Sequence, residues 1–139
     1  MAFSHGSQAV TSIDASEGGA LTAISAFLTN VSFSAEREIS EIRPQGGAAV
    51  TQMVGPVAST FTLEGGFDPT AHTMFTTAMA AASPVTRTFE HGPAGSTTGL
   101  PKMTAEVYVA SYETESDSEN PNSWTAELVV AGAVTYTTY

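Results

Sequence analysis

His5, His72 and His91 are the only imidazoles in the chain, so a Ser-His-Asp relay must use one of them with Asp14, Asp68 or Asp117. None stands in a recognisable frame: there is no Gly-x-Ser-x-Gly elbow, and Asp68, directly before Pro69, is better placed to cap a helix. His72 falls on the exposed parity of that helix and reads as a solvated side chain. Glu113, Glu115, Asp117 and Glu119 put carboxylates at every second residue, which invites comparison with a calcium loop. Such a loop needs glycine at its sixth position and glutamate at its twelfth, where Ser118 and Trp124 stand. A solvated loop is the expected reading, with a weak cation site at a subunit junction as the alternative. Gly92, Gly95 and Gly99 lack the Lys-Ser or Lys-Thr that completes a phosphate cradle. The chain has no cysteine, which excludes a disulfide framework, a thiolate zinc site and a cysteine nucleophile. Asn30-Val31-Ser32 matches a glycosylation triplet, a chance match without a secretory signal. No catalytic residue, cofactor, metal or small-molecule substrate is therefore expected.

Residues 24–42 alternate with period two. Phe27, Val31, Phe33, Ala35 and Ile39 share one face, and Asn30, Ser32, Ser34, Glu36, Glu38 and Ser40 share the other. This predicts one long strand, or two with a bend. Arg43, Pro44, Gln45, Gly46 and Gly47 end it, because proline lacks a donor and the glycine pair turns the chain cheaply. A second strand region spans 49–67 with an interruption at Gly55-Pro56; Val57, Phe61, Leu63 and Phe67 alternate with Thr60, Thr62 and Glu64. The two pair as a long hairpin whose tip is 44–48. Asp68-Pro69 then starts a helix over about 68–83, in which Ala71, Met74, Phe75, Ala78, Met79 and Ala82 keep helical spacing until Ser83-Pro84. Strands follow at 85–90, 103–113 and 123–138, and 91–101 and 114–122 read as loops. The connections are too short for repeated βαβ crossovers, so the expected fold is a mainly antiparallel β-sandwich or barrel with one flanking helix.

The chain has 139 residues with 14 Asp+Glu against 4 Lys+Arg, a net charge of -10. That is one domain, 1–139, large enough for a core without staples. Tight nucleic-acid binding is excluded, because it depends on basic residues that release counterions from phosphate. Only 13% of residues are charged, while 20 Thr, 15 Ser and 21 Ala leave a surface of small and hydroxylated groups. A free monomer normally stays in solution through many mixed charges; this surface suits a protein covered by copies of itself. No stretch has the apolar length of a membrane span and no signal peptide is readable, so neither export nor a membrane partner is expected.

Four blocks, in order, carry a resemblance: 21–34 (LTAISAFLTNVSFS), 61–71 (FTLEGGFDPTA), 89–96 (FEHGPAGS) and 126–135. Together with His5-Gly6 and 101–113 they are distributed along most of the chain's length, and their order and spacing, more than any one block, are specific. The chain resembles the major tail tube proteins of long-tailed, siphovirus-like bacteriophages, especially those of actinobacteria. The resemblance implies a sandwich or barrel of the tail tube type, assembled into hexameric rings that stack into a hollow tube in the virion, the conduit for DNA ejection. Strands of six subunits would close an inner β-barrel. Implied partners are other copies of the chain, tape measure, tail tip and terminator proteins, and double-stranded DNA in transit without binding.

Physical chemistry agrees with that role. DNA carries one negative charge per about 1.7 Å of axis, so an acidic wall lets it slide where a basic one would grip it. A lumen a few Debye lengths of about 8 Å wide keeps part of the field of six acidic chains unscreened. The lumen-facing candidates are Asn30, Ser32, Ser34, Glu36, Glu38, Thr60, Thr62 and Glu64, polar positions on long strands. Ring stacking falls to the projecting hairpin 42–56, with Arg43, Pro44, Gln45, Gly46, Gly47 and Met53 as candidates and Arg43 placed to meet a neighbour's carboxylate. Residues 1–20 are expected as an arm or a first strand on a neighbouring subunit. The alternatives are a capsid decoration or head-tail completion protein, and a carbohydrate-binding sandwich that stacks sugars on Trp124, Tyr108 or Tyr112.

Overall fold

The computed structural model describes residues 5–14, 21–47, 49–81 and 86–139. Its elements are β1 (Val10–Asp14), β2 (Leu21–Ala23), β3 (Asn30–Ile42), β4 (Thr51–Gly66), α1 (Pro69–Met79), β5 (Arg87–Gly92), β6 (Pro101–Glu115), β7 (Ser123–Val130) and β8 (Thr135–Thr138). All described pairings are antiparallel, in the order β2-β1-β5-β6-β7-β4-β3, with β8 added on β6.

β6 organises the fold. Its first part pairs with β5 and β8 and its second with β7, and the register slips by one between Val109 and Ser111, leaving Ala110 as an extra residue. A bulge of this kind bends a strand. One layer, β3-β4-β7 and the end of β6, thus folds over a second, β2-β1-β5, the start of β6 and β8. Phe61 of the first meets Phe89 of the second with ring centroids 4.6 Å apart, and Phe33 and Tyr136 lie 6.4 Å apart. Ile13, Ile24, Leu63, Val107 and Leu128 fill the space between the layers. The expected sandwich and its alternating strands are present.

Helix α1 closes one end of the sandwich. Asp68 Oδ1 accepts the Thr70 N–H at 2.8 Å and Pro69 occupies the first turn, as the sequence predicts. Ala71, Met74 and Phe75 are buried, and the Phe75 ring lies 5.0 Å from Trp124 and 5.6 Å from Tyr112. Trp124 donates its indole N–H to the Gly66 carbonyl at 2.9 Å, so its polar edge is satisfied inside the core. The helix ends at Met79, with Ala80 N–H bonded to Thr76 O, short of the expected 83. The stop signal Ser83-Pro84 lies outside the described residues.

Other boundaries also move. Period-two alternation starts before the strand does: Ser25–Phe27 forms a 3-10 turn and β3 begins at Asn30. Gly55-Pro56 does not interrupt β4. It forms a bulge, two residues opposite Glu38 alone, because Arg37 pairs with Val57 and Ile39 with Val54. A bulge leaves a residue outside the ladder, which accommodates a proline without a donor. The expected final strand divides in two at Gly132, whose φ of 99° is left-handed. β1 sits between β2 and β5 with Thr11 and Ile13 buried, so the described part of the expected arm is built into its own domain.

Candidate assembly surface

Pairing brings the proposed lumen residues onto one sheet face. Asn30 lies opposite Glu64, Ser32 opposite Thr62 and Ser34 opposite Thr60, with Glu36 and Glu38 following along β3. The rows continue across β7 and β6: Glu64 to Thr125 and Glu113, Thr62 to Glu127 and Ser111, Thr60 to Val129 and Tyr108. On β3, β4 and the end of β6 every carboxylate of this face, Glu36, Glu38, Glu64, Glu113 and Glu115, is exposed, as is Glu127 on β7. The face carries no lysine or arginine on its described strands. Thr125, Glu127, Ser111 and Glu113 were not among the sequence candidates. Their alternation was visible, but only strand pairing puts them beside β4.

This layer has two edges. β3 is the last strand in the order, so one side of its 13 residues bonds to no described strand. On the side of β6 away from β7, pairing with β5 stops at Val107, and among the described residues no strand continues it to Glu115. Long edges without proline or lysine are templates for further strands. The four strands alternate in direction, so β3 and β6 run oppositely. Rotation about a ring axis preserves each direction, so β3 of one copy would meet β6 of the next antiparallel.

Beyond Ala35 the β3-β4 hairpin leaves the sandwich, and nearly every residue on both its faces is exposed. Arg43, Pro44, Gln45, Gly46 and Gly47 form its tip, with left-handed φ of 97° at Gly46 and 75° at Gly47. Ile39, Met53 and Val54 are 56–60% exposed there, and Ile42, Val50 and Val57 are exposed as well. Ile39 and Val54 are a cross-strand pair, and exposed apolar pairs of this kind are typical of contact surfaces.

Several of the remaining titratable groups hold local hydrogen bonds. His91 Nδ1 lies 2.9 Å from Thr11 Oγ1. Burial pushes the His91 pKa down. The cavity of about 360 Å³ beside it is lined by hydroxyls, among them Ser7 and Ser25, and by apolar groups such as Leu28 and Val31, with no carboxylate among the described residues. His72 is not solvated: it is half-buried, its Nδ1 2.9 Å from the Tyr112 hydroxyl, whose own pKa burial raises. Trp124 is in the core and Tyr112 packs on the helix, so these two form no exposed stacking platform. In the acidic loop, Asp117 accepts the Glu119 N–H at 3.0 Å and the Asn120 amide at 3.1 Å, which hold its carboxyl below the usual range. Among the described residues no cluster of three metal-ligating side chains occurs, and no helix is long and apolar enough to cross a membrane.

This sandwich, with its flanking helix and long hairpin, is the fold of tail tube proteins. The tail of an empty gene transfer agent particle, solved with C6 symmetry, is similar with a TM-score of 0.76 at 15% identity, over 98% of this chain and 100% of that one. The SPP1 tail tube gives 0.74 at 11% identity, over 98% and 80%. The sheath-tube complex of the extracellular contractile injection system PVC gives 0.73 at 15% identity, over 98% and 92%. No protein-family model and no curated protein matches the chain.

Proposed function

We propose that this chain is a structural, non-catalytic tail tube subunit of a virion, forming hexameric rings that stack into a hollow conduit for DNA. The observation that carries this reading is the four-stranded layer with an acidic outer face and two open, oppositely directed edges. Six such layers joined edge to edge, β3 to β6, close a barrel that is antiparallel throughout. Its inner wall then presents Asn30, Ser32, Ser34, Glu36, Glu38, Thr60, Thr62 and Glu64, extended by Ser111, Glu113, Thr125 and Glu127. Such a wall offers DNA no cation to bind. The C6 symmetry of the similar gene transfer agent tail supports the sixfold ring. The block resemblance supports a siphovirus-like phage of an actinobacterial host, with tape measure, tip and terminator proteins as further partners.

Negative-stain electron microscopy of the purified protein, concentrated at neutral pH and moderate salt, tests the reading. Hollow stacked rings are expected. A closed trimer unable to polymerise would instead favour a decoration protein, because only a tube subunit uses both ring faces in open-ended growth.

A further inference from the structure

Four cations are available to the chain, and two are occupied within the fold. Arg87 is buried, 4% exposed, with Nη1 on the Asp14 carbonyl, and Lys102 Nζ sits 4.9 Å from the centre of the Tyr139 ring. The other two, Arg37 and Arg43, are both exposed on the β3-β4 hairpin. Arg37 donates to the Gly55 carbonyl across the bulge at 3.4 Å, using one of its five N–H groups. It lines a groove of about 840 Å³ at the hairpin base, whose walls are Ala35, Pro56, Val57, Val134 and Tyr136. The opposite end of the same layer is the β6-β7 loop with Asp117 and Glu119, flanked by Glu113 and Glu115 and containing no cation. Nine residue steps of β4 separate the groove from the loop, from Val57 beside Arg37 to Gly66 beside Ser123, roughly 30 Å of strand.

Resting on the tube reading, we propose that the groove at the base of the hairpin receives the β6-β7 loop of a second copy in the adjacent ring. Arg37 meets Asp117 and Glu119 of that copy. The contact is head-to-tail, so it repeats without closing. Charge complementarity fixes its direction: the loop end repels another loop end, and the hairpin carries the chain's two exposed arginines. The turn held by Asp117, Glu119 and Asn120 presents the loop already shaped, which lowers the ordering cost of docking.

The absence of cysteine makes the test clean. Ser118 at the loop tip and Ala133 at the groove are both exposed, so Ser118→Cys/Ala133→Cys leaves the core and the charges untouched. On oxidation the double variant is expected to give a covalent ladder beyond the dimer, while each single variant stops at the dimer. Arg37→Glu is expected to raise the concentration at which tubes appear by about tenfold, and adding Asp117→Lys/Glu119→Lys to the same chain to lower it again. Stacked rings in micrographs without a ladder, or an Arg37→Glu variant that stacks like the parent, overturn this contact and leave the tube reading standing. A parent chain that forms no rings under any condition overturns both.

Discussion

The β3-β4 hairpin is one ladder with two fates. Near the sandwich, Val31 faces Leu63 and Phe33 faces Phe61, and one side of each pair is covered by the second layer. Past Ser59 the same alternation continues through Ile39 and Val54, yet these groups stand in solvent. Alternation reports which face of a strand a side chain takes. It does not report what covers that face, and here the inner half is covered by the second layer while the outer half stands exposed.

Substitutions in the two halves should therefore separate stability from assembly. The largest stability effect is expected at Phe61→Ala, which empties the centre of the aromatic contact with Phe33 and Phe89 and should cost about 3–5 kcal/mol in urea unfolding. Asp68→Ala removes the helix cap at the closed end and should cost about 1 kcal/mol by the same measurement. The pH dependence from His91 is smaller. Its buried ring resists protonation, so the unfolded chain takes up the proton first as pH falls; the stabilisation is complete above the ordinary value of about 6.5 and declines below it. Unfolding of His91→Gln between pH 7 and 5 should show a flatter decline than the parent. The smallest effect on the monomer is expected at Ile39→Ser/Val54→Ser, within about 0.5 kcal/mol. That variant should nevertheless form fewer tubes by microscopy, and a loss of monomer stability comparable to that of Phe61→Ala would erase the distinction between the halves.

Local chemistry made much of this fold legible. Asp68-Pro69 announced the helix start, the glycine pair announced the hairpin tip, and period two announced the strands. Pairing was harder to read. Thr125 and Glu127 on β7 showed the right alternation, but the ladder that sets β7 beside β4 depends on contacts about sixty residues apart. The bulge at Gly55-Pro56 looked like a break because proline is unwelcome in a ladder, and the sequence alone does not reveal that one extra residue absorbs it. Buried Arg87 carried no signal at all, since only the folded layers bring the Asp14 carbonyl within reach of its guanidinium.

The 15-residue β6 has one more consequence. It belongs to both layers, so the sandwich is a laminate bonded by a continuous covalent thread. Pushed sideways, stacked sheets slip like pages unless something binds them. Here slippage would have to tear the hydrogen bonds of β6 to β7 on one side of Ala110, or to β5 and β8 on the other. In a tube wall built from such units, a bending load cannot slide the inner layer past the outer one within a subunit. In such a wall the compliance would come from the joints between copies, while each subunit stays stiff.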